Sequence, residues 1–122
     1  MIVAGFGFTS RATVDSLLEA LNATGHAGPP DRIATASDKA ATPVFRAFAA
    51  RSGAPVAAID AARIEAIQTE TRSRISHGAR GTGSVAEAAA LAAAGPGAVL
   101  MTQRHISHDR MATCAIAKGA DT

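Results

Sequence analysis

Apolar residues in this chain fall in short blocks separated by glycine, proline and charge, and the blocks switch between two periods. Met1-Ile2-Val3-Ala4-Gly5 is a partly β-branched run ending at glycine, the pattern of a buried strand. A turn, Gly5-Phe6-Gly7-Phe8-Thr9-Ser10, follows it. Over residues 13–24 the period becomes helical, with Val14, Leu17, Leu18 and Leu21 on one face and Asp15 and Glu19 outward. Gly25 and Gly28-Pro29-Pro30 stop this helix.

Residues 32–36 predict a second, weaker strand. Thr42 then suits an N-cap and Pro43 the first helical position, and Val44, Phe45 and Phe48 form a buried face that ends at Ser52-Gly53. A third strand is expected at residues 55–59 and a short helix at residues 61–68, with Ile64 and Ile67 inward. Residues 69–83 carry no apolar period and are interrupted only by Ile75, which predicts a functional or disordered loop. Ser84-Val85-Ala86-Glu87 fits a capping box opening an alanine-rich helix that stops at Gly95-Pro96-Gly97. Two last strands, at residues 98–102 and 111–117, flank a basic loop.

Strands alternating with helices imply right-handed crossovers and a largely parallel sheet. The final pair is joined without a helix and is expected to be antiparallel. The expected fold class is therefore α/β: one three-layer α/β/α domain over residues 1–122, with a mixed, mostly parallel five-stranded sheet. Composition adds a constraint. The chain is 48% apolar but rich in alanine and lacks Trp and Tyr, so close approach of helices to the sheet must supply the packing.

Net charge is only +2, yet its distribution is uneven. Arg72, Arg74, His77 and Arg80 form one stretch without acids, and Arg104, His105, His108 and Arg110 form a second beside Asp109. Two basic loops either attract an anionic partner or are simply solvated. The single cysteine, Cys114, excludes an internal disulfide framework and reads as a buried core thiol. Neither a leader nor an apolar run of about 20 residues is seen, so a cytoplasmic protein without membrane contact is expected. Scarce aromatic residues and short basic segments argue against nucleic acid. His105 and His108 lack companion ligands at convincing spacing, so neither a metal nor another cofactor is expected.

In open α/β sheets, ligands bind beyond the carboxyl ends of the strands. Three segments map there. Gly5, Gly7, Thr9, Ser10 and Arg11 follow the first strand, as either a structural turn or an anion-binding loop. Ser37, Asp38 and Lys39 leave the second strand, where Asp38 and Lys39 form either a solvated turn or an acid/base pair. Gly81, Thr82, Gly83 and Ser84 precede the alanine-rich helix, where free amides and Arg80 suit carboxylates; the capping box alone explains Ser84 and Glu87.

These segments, in this order, together with Ala34-Thr35-Ala36-Ser37-Asp38-Lys39, Gly81-Thr82-Gly83-Ser84-Val85-Ala86-Glu87-Ala88-Ala89-Ala90 and the closing strand, resemble the CobE/CbiG C-terminal domain family of cobalamin biosynthesis. The resemblance covers nearly the whole chain and implies the free-standing CobE type, linked to the aerobic route. It implies binding of a precorrin or corrinoid intermediate, a polycarboxylate tetrapyrrole, with Phe6 or Phe8 against the ring. It leaves open an accessory or carrier role, a hydrolase or lyase using Asp38 and Lys39, and a docking module for a pathway methyltransferase. Phe8-Thr9-Ser10-Arg11 departs from the family's usual Cys-Arg-Arg-Gly-like run.

Overall fold

A computed structural model of the chain describes residues 1–26, 28–74 and 85–120. Its strands are β1 (Ile2–Phe8), β2 (Arg32–Ala36), β3 (Val56–Ile59), β4 (Val99–Ile106) and β5 (Ala112–Lys118). Its helices are α1 (Val14–Ala23), α2 (Ser37–Ala40), α3 (Pro43–Ser52), α4 (Ala61–Arg74) and α5 (Val85–Ala94). The strands form one sheet in the order β3-β2-β1-β5-β4. β1, β2 and β3 pair in parallel, while β5 runs antiparallel to both β1 and β4. Four strands thus point one way and β5 alone runs back, which is the mixed, mostly parallel sheet expected.

Strand alternation divides the core into two halves. On one face Ala4, Phe6 and Phe8 of β1 pack with Ile33, Cys114 and Ile116 against Leu17 of α1 and Phe45 and Phe48 of α3. Four phenylalanines meet here: Phe6 lies edge-on to Phe48 at 5.0 Å, and Phe8 stacks on Phe45 at 5.7 Å. Cys114 is fully buried, and burial pushes its thiol pKa well up, so it is an inert core residue. On the other face Val3 and Ala34 pack against Ile64 of α4 and Ala88 and Ala89 of α5.

Helix ends follow local chemistry. Thr13 caps α1 by accepting from the Ser16 N–H at 3.1 Å, and the Ser16 hydroxyl accepts from the Thr13 N–H at 3.1 Å, closing a capping box. Thr42 caps α3 ahead of Pro43, and Gly53 ends it in the left-handed conformation at φ 73°.

Four boundaries differ from the sequence reading. The expected turn at Gly5 is strand: β1 continues through Gly7 to Phe8. The reason is packing, because Gly5 faces α5. A Cβ at Gly5 would overlap the Ala86 carbonyl oxygen and lie 2.5 Å from the Ala90 amide nitrogen. Ser37, Asp38 and Lys39, expected in a loop, form the short α2. The polar stretch after residue 68 begins as helix, since α4 runs to Arg74; residues 75–84 lie outside the described residues. Arg104 and His105, expected in the basic loop, belong to β4, because an edge strand exposed to solvent tolerates polar residues.

Gly5→Ala is expected to lower unfolding free energy by on the order of 3 kcal/mol, since the added methyl meets helix backbone that cannot rotate away. A second change, Ala90→Gly, should not restore it, because the Ala86 carbonyl and the Ala90 amide remain. Urea denaturation of the two variants checks this, and a Gly5→Ala midpoint equal to wild type would refute the packing account.

Candidate functional site

The carboxyl ends of β1, β2, β3 and β4 share one edge of the sheet with the start of β5. Chain connections leave β1 in opposite senses: α1 and α3 cover one face on the way to β2 and β3, and α4 and α5 cover the other on the way back to β4. A crevice is expected where these directions diverge. One is present there. It is an open cleft of about 280 Å³ lined by Gly7, Phe8 and Thr9 of the β1 end, Val85 at the start of α5, and Arg110, Met111, Ala112 and Thr113.

Backbone ties fix its walls. The Thr9 N–H donates to the Met111 carbonyl at 2.9 Å, and the Thr113 hydroxyl donates to the Gly7 carbonyl at 3.2 Å. Gly7 keeps the floor low, because a Cβ there would come within 3.1 Å of the Thr113 Oγ1. At the same end of β1 the Lys39 Nζ stands 5.3 Å from the Phe8 ring centroid, a cation–π contact that ties α2 to the strand.

The turn between β4 and β5 is clamped onto α1. The Asp109 carboxylate accepts from the Ser107 hydroxyl at 2.6 Å, the Ser16 hydroxyl at 2.6 Å and the Met111 N–H at 3.0 Å. The Glu19 carboxylate accepts from the His108 N–H at 3.1 Å. Hydrogen bonds from Ser107, then Ser16 and Met111, hold the Asp109 carboxyl below the usual carboxylate range.

Of the residues singled out from sequence, Gly7 and Thr9 line the cleft, and Lys39 lies over the ring of Phe8. Gly5 lies deeper, beneath α5, in a packing position. Ser10, Arg11, Ser37 and Asp38 are exposed around the same edge. Phe6 or Phe8 was the residue expected to meet a ring; Phe6 is fully buried, and Phe8, although part of the cleft wall, is 9% exposed with its ring stacked on Phe45. Arg80, Gly81, Thr82, Gly83 and Ser84 lie outside the described residues, although Val85, next in the chain, is in the cleft wall. Glu87 of the expected capping box is buried, and its Oε2 accepts from the Arg104 N–H of β4 at 3.2 Å.

Sequence reasoning missed Arg110 and the Asp109 clamp. Arg110 carried a signal only as part of a basic segment, and Asp109 only as one acid amid cations. His105 sits within β4 and His108 in the turn, so the pair does not share one loop.

Fold and cleft together define a small doubly wound α/β domain with an open, cation-flanked site at the carboxyl edge of its sheet. The family model described as Cobalamin synthesis G C-terminus matches residues 2–117, and the chain belongs to that family. It is similar to the crystal structure of cobalamin biosynthesis protein chiG from Agrobacterium tumefaciens, with 35% identity, TM-score 0.81, and coverage of 99% of this chain and 100% of that one. It is also similar to CobE, a protein from the cobalamin (vitamin B12) biosynthetic pathway, with 26% identity, TM-score 0.70, and coverage of 96% and 89%. A search of the curated proteins gave no match. No described helix is long and apolar enough to cross a membrane.

A depressed carboxyl pKa contributes stability above its unfolded value and loses it as pH falls through the folded one. Asp109→Asn should therefore be less stable than wild type at neutral pH, and the gap should close as pH drops below the ordinary value of 3.8. Urea midpoints at pH 7 and pH 3 measure this; a gap independent of pH would contradict the charged clamp.

Proposed function

We propose that this domain binds a polycarboxylate tetrapyrrole intermediate of cobalamin biosynthesis, a precorrin or related corrinoid, and holds or delivers it as an accessory or carrier of the aerobic pathway. The observation that carries this reading is the cleft at the end of β1, lined by the start of α5 and by Arg110, with the Lys39 ammonium held over the Phe8 ring at the same strand end. A volume of about 280 Å³ is near the lower end of small-ligand sites. It suits one or two acetate or propionate arms and a ring edge, with the macrocycle lying across the opening.

Arg80 and the glycines at 81 and 83, shortly before Val85 in sequence, are part of the same reading as further partners for the carboxylates. Each charge-assisted contact contributes about 1.5–3 kcal/mol. Several are therefore needed to offset an association cost of about 4–15 kcal/mol. An open edge site of this kind matches a labile ligand that is handed on to a pathway enzyme. Asp38 lies exposed on the short α2 while Lys39 turns to Phe8, an arrangement that favours binding over acid/base chemistry by this pair.

Titration with hydrogenobyrinic acid, followed by absorbance, tests the reading. Wild type should give a saturable spectral shift at micromolar ligand, and Lys39→Ala combined with Arg80→Ala should bind at least about tenfold more weakly. A folded wild-type protein that gives no shift would overturn the proposal, and unchanged affinity in the double variant would move the site elsewhere.

A further inference from the structure

Arg110 is held in an unusual way. Its φ is 64°, and among the described residues it is the single non-glycine residue with positive φ. That conformation crowds Cβ against the following carbonyl and persists only where the surroundings enforce it. Here they do so from both sides. Asp109, on the N-terminal side, is bonded to Ser16 of α1 and to Ser107, both of them buried. Met111, on the C-terminal side, donates its N–H to Asp109 and accepts from the Thr9 N–H of the cleft wall. The Arg110 N–H itself donates to the Ser107 carbonyl at 2.9 Å. The turn is thus tied to α1 on one side and to the end of β1 on the other, and the residue between the ties is an exposed arginine in the cleft lining.

A turn needing only positive φ would be served by glycine or asparagine. An arginine in that position, at the mouth of a cleft, assigns the conformation to its side chain's task. We propose that Arg110 is the specificity-determining residue that pairs with a carboxylate arm of the ligand, and that Asp109 is the positioning residue that presets it. The proposal deepens the binding reading above and rests on it for the ligand's identity. Its own content is the carboxylate subsite. A guanidinium whose backbone is already fixed loses less freedom on forming a two-point pair with a carboxylate.

The test uses Arg110→Gly, which keeps the left-handed backbone and removes the side chain, and Asp109→Ala, alone and combined. Arg110→Gly should fold with undiminished thermal stability and bind hydrogenobyrinic acid at least about tenfold more weakly. Asp109→Ala should cost about fivefold in affinity in the arginine protein and nothing further in the glycine background. Glutarate, a small dicarboxylate that mimics two neighbouring arms, should shift the amide resonances of Gly7 and Thr9 in wild type and not in Arg110→Gly.

Equal affinity of wild type and Arg110→Gly would overturn the assignment of Arg110. An equal loss from Asp109→Ala in both backgrounds would overturn the positioning role and leave the clamp merely structural. If hydrogenobyrinic acid fails to bind but the glutarate shifts depend on Arg110, the subsite stands and the tetrapyrrole reading falls. If neither ligand acts on wild type, both are overturned.

Discussion

The approach of α5 to β1 at Gly5 is the contact on which the rest of the structure depends. Without a side chain there, the backbone of a helix made mostly of alanine comes down onto the middle of the sheet. A chain with so few large side chains has no other means of filling that layer at native density. The opposite face is built in the other manner, from four clustered phenylalanines and the leucines of α1. One face is close because it is small, and the other is filled because it is aromatic.

That asymmetry sets the site. Lowering α5 onto β1 brings its first residue, Val85, beside Gly7 and opens a shallow crevice where the sheet changes direction. The antiparallel β5 then places its own start, and the turn before it, against the same crevice. Polar groups supply what the apolar core does not. Ser16 and Asp109 lock the turn to α1, and Lys39 crosses from α2 to the Phe8 ring. The cleft proposed for binding therefore sits on backbone held by both halves of the core.

Much of this architecture was legible from pattern. The face of α1, the Thr42-Pro43 start and Gly53 end of α3, the second strand and the final hairpin all follow local rules that tertiary contacts reinforce. Gly5 and Gly7 misled because glycine signals both a turn and a close approach, and nothing within one sequence separates the two. The expectation that Phe6 or Phe8 meets a ring fails for the same reason: once the segment is strand, alternation sends both into the core. Residues 69–74 lack an apolar period, so no local signal marks the continuation of α4 to Arg74. The Lys39–Phe8 contact and the Ser16–Asp109 bond join residues far apart in the chain, so only the fold reveals them.

Amide hydrogen exchange with and without hydrogenobyrinic acid tests the central claim most directly, because it reports position as well as binding. Bound ligand should slow exchange at the cleft segments, residues 7–9 and 110–113 and the start of α5. It should leave unchanged the separate hollow at the end of β3 that is lined by Asp60 and Arg63. Protection confined to the β3 end, or absent from the cleft at saturating ligand, would contradict the account.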